Sequence, residues 1–468
     1  MFRTILRREL QETLSSSTLI FAVVVLTILV LLSAYIQARY YRRMVEDYTL
    51  RQNIHQVENS GRAIVLIRPL PPLLPFFNGV YDSLPDEFRL QSDSVITNPL
   101  SGDLTPLDWL FPKIDLSFII GVLMTLLTIL LAHDTIVVDR EHGTLKLILS
   151  GPVQRRVVLA AKLTGVILLM TIILVYVVLL YTTVVKVFSG GTVDLSVANL
   201  SALAVSSLVA LLVFVAIAAL GVAISASSRR SFVSLSLCAS IWMVAVLVWP
   251  SLGPYIASSF KTVSTLEAAQ RDIALKEREL IQAELAEQRK TAADLKAQNV
   301  GVESAWRQYL ELRRRWMERR NVEIGRLVEE RKRQIRDQHF FARLILAFSP
   351  YVAFKEALGS LCGTGLESYD EFHAAVERYG QQEFLPASFD LLSRQKPWLN
   401  AAKPDDRVLL RPLQAPSPTF SERLAAAAWP LGVLIAEIII LLTVGVIGFE
   451  RYDVRRSHAS PGKVSLRS

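Results

Sequence analysis

The chain has 468 residues, a formal net charge of +8 and a hydrophobic fraction of 51%. Its length allows two or three globular domains, but its apolar residues gather in six blocks, each long enough for the roughly 20 residues a helix needs to cross a hydrocarbon core. Two cysteines, Cys238 in an apolar block and Cys362 in a polar region, exclude a disulfide framework. The positive charge comes with no base-reading or phosphate-cradling surface, so nucleic acid is not an expected partner.

Residues 1–16 open with "MFRTILRREL". Helical spacing puts Phe2, Ile5, Leu6 and Leu10 on one face and Arg3, Arg7 and Arg8 on the other, the pattern of an interfacial amphipathic helix in contact with membrane lipid. A signal-peptide start is the competing reading. The apolar run that follows is too long for one and lacks a sharp cleavage signal, so 17–38 is predicted as the first span. Residues 39–115 are polar and irregular, and their "RPLPPLLPFFNG" forbids a continuous helix and favours extended or turn structure. A second span is predicted at 116–138, a compact polar segment at 139–157 and a third span at 158–188. The fourth follows at 200–226 and the fifth at 231–256. A large soluble region then covers 257–423, a sixth span 424–449 and a tail 450–468. The expected fold class is an α-helical integral membrane protein with six transmembrane helices.

Lysine and arginine in the short connections set the orientation. The N-terminus, the 139–157 segment (Arg140, Lys146, Arg155, Arg156), the turn with Arg229 and Arg230, and the tail are all basic. With six spans they fall on one side, expected to be the cytoplasm of a bacterial inner (plasma) membrane. Residues 39–115 and 257–423 are then extracytoplasmic. Within the larger region, 262–338 is charged and almost free of glycine and proline. Leu266, Ile273 and Leu280 repeat every seven residues with Ile281 and Leu285 beside them. After "QNVGVES" a second stretch carries Trp306, Leu310, Trp316, Leu327 and Ile335. This predicts an antiparallel helical hairpin with a narrow apolar seam, read either as solvated helices or as a stalk for a partner. From Phe340 onward, a compact helical cap is expected to return the chain to the membrane.

No GxxxxGK[ST] phosphate loop, HExxH, paired CxxC or GxSxG occurs. The chain is therefore not expected to be an enzyme or to hold a metal or cofactor of its own. His133 and Asp134, near the end of the second span, are an ionisable pair with either a functional or a structural role. The segment "EHGTLKLILSGPVQRR" has a readable mechanism: Gly143 permits a tight turn, Thr144 could cap the next helix, Leu145, Leu147 (or Ile148) and Leu149 form an apolar ridge, and Gly151-Pro152 ends it. A short helix held between two spans is either an ordinary loop or a lever.

"DREHGTLKLILSGPVQRRVVLAAKL" resembles the segment after the second transmembrane helix of type-2 ABC transporter permeases. The matching positions are Glu141, Gly143, Thr144, Leu145, Leu149, Pro152, Arg155 and Lys162. Lys146 departs from the pattern, where an acidic residue is common. "SPYVAFKEALGSLCGTGLESYDEFHAAVERY" and "FERYDVRR" are similar to a subgroup with a large outer domain between spans five and six. The resemblance implies a permease that pairs with a separate ATP-binding subunit, which holds the ATP and Mg, and works as a homo- or heterodimer. The N-terminal helix and the loop helix are the ATPase contacts. Two functions follow: export along the dimer interface, or mechanical transmission to a periplasmic or surface partner with nothing crossing. A receptor or scaffold outside the ABC class is a third reading.

Overall fold

The computed structural model describes residues 2–58, 63–91, 94–97, 114–150, 154–394, 411–416 and 418–450. Six helices among them are long and apolar enough to cross a membrane: Ser17–Asn53, Leu116–Glu141, Arg155–Phe188, Val197–Ser227, Ser231–Phe260 and Ala428–Phe449. They are spans one to six of an α-helical integral membrane protein. In hydrocarbon every backbone amide must find its partner within the chain, and a helix supplies that partner locally. Spans two and four have 67% and 56% of their most apolar windows buried, against 28%, 22% and 17% for spans one, five and six. Two and four are therefore the centre of the bundle. Span six lies along span four, with Gly445 against Ala223 and Gly448 against Ser227. Gly221 of span four approaches Ala132 of span two so closely that an added methyl would stand 2.5 Å from its Cβ. Small residues at such crossings let the backbones meet.

An N-terminal helix, α1 (Phe2–Leu14), precedes α2 (Ser17–Glu58), which contains span one. At 1.5 Å per residue the 42 residues of α2 reach about 63 Å, roughly twice the hydrocarbon thickness. This corrects the irregular structure expected from residue 39. The stretch from Arg39 to Glu58 is charged yet free of glycine and proline, so it continues the helix past the apolar run. Near its end Arg51 pairs with Asp86 and Glu87, each at 3.0 Å.

Those two carboxylates belong to a small antiparallel sheet of β1 (Ala63–Ile67), β2 (Glu87–Gln91) and β3 (Ser94–Thr97), in that order. Ala63 pairs with Gln91 and Ile67 with Glu87. Ile64, Phe88 and Leu90 pack on Phe372, Val376, Tyr379 and Phe384 from the second soluble region. The two soluble segments thus share one hydrophobic core.

The proline-rich stretch between β1 and β2 is turn structure, as its composition predicts, but it is not solvated. Leu73, Leu74, Phe76 and Phe77 are buried in the main core of the bundle. Tyr181 of span three donates to Pro75 O at 2.9 Å and Leu116 N–H of span two donates to Phe76 O at 3.2 Å. The stretch is a wedge against spans two and three.

The large region begins with the expected hairpin, α3 (Leu266–Ala297) and α4 (Val302–Leu346). Its seam is Leu280, Leu312, Trp316 and Ile324, flanked by Ile273 and Val328. Ile281, Leu285 and Ile335 are exposed and lie off it. Glu284 is buried in the seam beside Arg320, and Trp316 Nε1 donates to Glu287 at 2.8 Å. The base of the hairpin rests on span five: Trp249 Nε1 donates to Ile345 O at 3.0 Å and Gly253 lies under Leu346.

Beyond the hairpin, α5 (Pro350–Cys362) is buried along most of its length, Ala353, Phe354, Ala357, Leu358 and Leu361 among its residues. It packs on spans four and six. Ser349 accepts from Val352 N–H to cap this helix, and donates to Ala245 O at 2.6 Å inside a π-turn of span five. Next come α6 (Leu366–Tyr379) and α7 (Leu385–Arg394), and then α8 (Phe420–Ala426), which opens with a Thr419/Glu422 capping box ahead of span six.

Candidate functional site: the ionic end of the bundle

The end of the bundle opposite the soluble domain is called here the terminal end, because α1 and the close of span six lie there. Helix α1 lies along span three. Ile5, Leu6 and Leu10 are half-buried and Arg3, Arg7 and Arg8 exposed, as the amphipathic pattern requires. Phe2 is exposed instead of joining the apolar face. Glu9 shares the buried face. Its Oε1 lies 2.5 Å from Lys162 Nζ of span three, and Lys162 is also 2.7 Å from Asp139 Oδ2 at the end of span two. The Lys162 side chain is only 3% exposed. A buried lysine is tolerated when opposite charge and good geometry replace its water, and here two carboxylates do so.

Asp139 Oδ1 accepts from the Thr144 hydroxyl at 2.8 Å. This corrects the expected cap: the hydroxyl turns back to Asp139 O and Oδ1 and does not serve the helix ahead. Thr144 is itself the first residue of the helix, and its O–H finds a charge-assisted bond to the ionised Asp139. Between them Gly143 takes φ +73°, the left-handed region that favours glycine, and makes the sharp turn. The loop helix spans Thr144–Ser150. Leu145 is buried in the main core, while Leu147 is 75% exposed, so the ridge is split between the bundle and the outside. Leu149 lies in this helix, its side chain outside the described residues, as is Pro152. Arg155 is the first residue of the helix of span three.

The neighbours of the turn bind the other spans. Glu141 Oε1 accepts from Ser231 N–H, at the start of span five, at 2.9 Å. A carboxylate there complements the positive end of the helix dipole. Arg140 donates to Ala226 O at 2.6 Å and to Ser228 O, where span four ends, which is the complementary case. Span two breaks over residues 133–136. Ser225 of span four accepts from the Ile136 and Val137 N–H groups, each at 3.1 Å, and Ser234 of span five donates to His133 O at 2.6 Å. His133 Nδ1 lies 2.8 Å from Leu130 O, and Asp134 lies within the field of Lys162 and Asp139. The pair occupies this break, where the serines satisfy the backbone.

The family model for ABC-2 family transporter proteins matches residues 3–454, nearly the whole chain. The chain belongs to the ABC-2 transporter family. It is a membrane permease of an ABC transporter, and membership implies an ATP-binding subunit as partner. No curated protein matches it.

Of the residues of the permease picked out from sequence, Glu141, Gly143, Thr144, Leu145 and Lys162 gather around one turn. The sequence reading missed Glu9 and Asp139, which neutralise Lys162, and Ser225 and Ser234, which satisfy the break. Glu9 was readable as a lone carboxylate at helical spacing among Ile5, Leu6 and Leu10. Glu437 was also passed over, an acid within the apolar run of span six whose Oε2 is buried without a hydrogen-bond partner among the described residues. Among the described residues no cluster of three or more His, Cys, Asp or Glu could hold a metal.

Proposed function

We infer that this permease takes its drive from a separate ATP-binding subunit seated on the Thr144–Ser150 helix and on α1, and that it exports a substrate outward between two permease copies. The terminal end is then cytoplasmic and the soluble domain extracytoplasmic, as the basic short connections favour, in a bacterial inner membrane. The chain carries no phosphate loop, so ATP and Mg are assigned to the partner and hydrolysis is not this chain's reaction. The observation that carries the reading is the Glu9–Lys162–Asp139 cluster. It joins α1, span two and span three beside the loop helix, and Glu141 and Arg140 extend the same grip to spans five and four. A push on the loop helix therefore has rigid partners in four spans.

A second reading, mechanical transmission without transport, is favoured by the path of span five. One end is held by Glu141, and the other carries the base of the hairpin at Ile345 and Leu346.

The test is ATPase stimulation in vesicles holding permease and ATP-binding subunit. Leu147→Asp, on the exposed side of the loop helix, should abolish stimulation while membrane insertion persists. Hydrolysis by the purified permease alone would sink the assignment. A cysteine within 298–304 should react with an impermeant thiol reagent in intact cells, and reaction only after lysis would invert the orientation. Spin labels at the hairpin tip separate the two functions, since an ATP-dependent distance change supports transmission and an unchanged distance supports export.

A further inference from the structure

Span four has two neighbours, five and six, that both pack on it and scarcely touch each other. Between them, at the terminal end, is a cleft of about 650 Å³. That lies within the roughly 300–1,000 Å³ of small-ligand sites. Its floor is Leu220, Ala223 and Ile224 of span four, with Val233 and Leu237 of span five on one side and Leu441 and Val444 of span six on the other. Spans five and six are the least covered of the six, so the cleft opens towards the apolar surroundings of the bundle.

All its polar groups lie at one end: Ser227, Ser228, Arg229 and Arg230. Both arginines are exposed, and neither has a carboxylate within ion-pair distance among the described residues. Ser228 is 6% exposed, yet its hydroxyl has no hydrogen-bond partner among them. Buried hydroxyls in folded proteins are nearly always paired, and Ser228 lines the polar end of the cleft. The nearest acid, Glu141, is already committed to Ser231 N–H.

We propose that this cleft holds an acidic phospholipid of the surrounding bilayer, its phosphate at Arg229, Arg230 and the Ser228 hydroxyl and an acyl chain along spans four to six. An apolar trough with its charge confined to the membrane-interface end matches an amphiphile and not a free anion. Basic clefts between spans at that depth recognise anionic headgroups. The sequence after Glu450 carries Arg451, Arg455, Arg456, Lys463 and Arg467. It has the same sign as the mouth and no apolar run to fill the trough.

Native mass spectrometry of the full-length permease, washed in detergent containing equal phosphatidylglycerol and phosphatidylcholine, tests this independently of the transport reading. Phosphatidylcholine has the same phosphate but no net charge, so two arginines facing a headgroup of net charge −1, at roughly 1 kcal/mol each, give about a 30-fold preference for phosphatidylglycerol. The double variant Arg229→Gln/Arg230→Gln changes exposed side chains only and should lose the preference while remaining monodisperse. Val444→Trp fills the trough and should lower retention of both lipids. Equal preference in wild type and the double variant overturns the proposal. So does full retention in Val444→Trp, or displacement of the lipid by soluble glycerol phosphate, which would mark a free-anion site. A change in oligomeric state in Val444→Trp without a change in retained lipid would make the cleft an interface between copies.

Discussion

The two ends of the bundle are joined by opposite means. At the terminal end a few charged side chains do the joining: Lys162 between Glu9 and Asp139, Arg140 on the close of span four, Glu141 on the start of span five. At the domain end the proline-rich wedge and α5 are pressed in among the spans, and most of what holds them is apolar contact, with a few polar ties such as Tyr181 to Pro75 O, Ser349 to Ala245 O and the Arg343–Glu356 ion pair. Charge networks have discrete alternative arrangements and lose much when one member goes, because a buried charge is left uncompensated. Close packing tolerates loss of polarity but not added volume. The ionic end is therefore the more sensitive to loss of a single charge, and the packed end to added volume.

The sharpest way to break this contrast is Lys162→Met. It leaves two carboxylates facing each other, and a loss of about 3–5 kcal/mol is expected, read as a lowered unfolding temperature in detergent. The triple variant Glu9→Gln/Lys162→Met/Asp139→Asn should regain most of it. A single variant as stable as wild type would show that the cluster holds nothing together. At the other end Gly121→Ala should cost about 1–3 kcal/mol, since the new methyl would stand 2.5 Å from Tyr351 Cε2 and 3.1 Å from Phe354 Cε1. Little change would mean that α5 is not tightly seated. Ser349→Ala removes a helix cap and the bond to Ala245 O, for a loss of about 1 kcal/mol in the same assay.

The smallest effect is a pH dependence in the shared domain. His373 packs on the Phe88 and Tyr369 rings. Burial, aided by the Lys332 charge and opposed by Glu377, holds its imidazole below the usual range. A depressed histidine favours the fold in its neutral form. That stability is present above the unfolded value of about 6.5 and is lost as pH falls through the lower folded value. Unfolding temperatures should therefore fall with acidification from about pH 6.5 in wild type and less steeply in His373→Gln. Superimposable profiles would exonerate His373.

How much was legible depended on whether the signal was local. Six spans were readable because hydrocarbon demands a continuous apolar run, and the hairpin because Ile273 and Leu280 keep a heptad. Gly143 was readable because a sharp turn needs its backbone freedom. Burial of segments without a periodic pattern was not. "PLPPLLPFF" has the composition of a loop, and only the spans around Tyr181 make it a wedge. Glu9 stands among the apolar residues of α1, but its partner Lys162 lies 153 residues on, and no local pattern joins the two. The short strands "AIVLI" and "EFRLQ" had no visible partner, because the helix that covers them lies after span five.

That last arrangement sets an order of assembly. Ile64, Phe88 and Leu90 leave synthesis early, whereas Phe372, Val376 and Phe384, which bury them, come only after four more spans and the hairpin have been made. Contacts so distant in sequence close slowly, and an apolar sheet face left uncovered in the meantime invites association with other chains. During each round of synthesis the sheet must wait, exposed, for the far end of the polypeptide. A chaperone on that side of the membrane would find its natural client there.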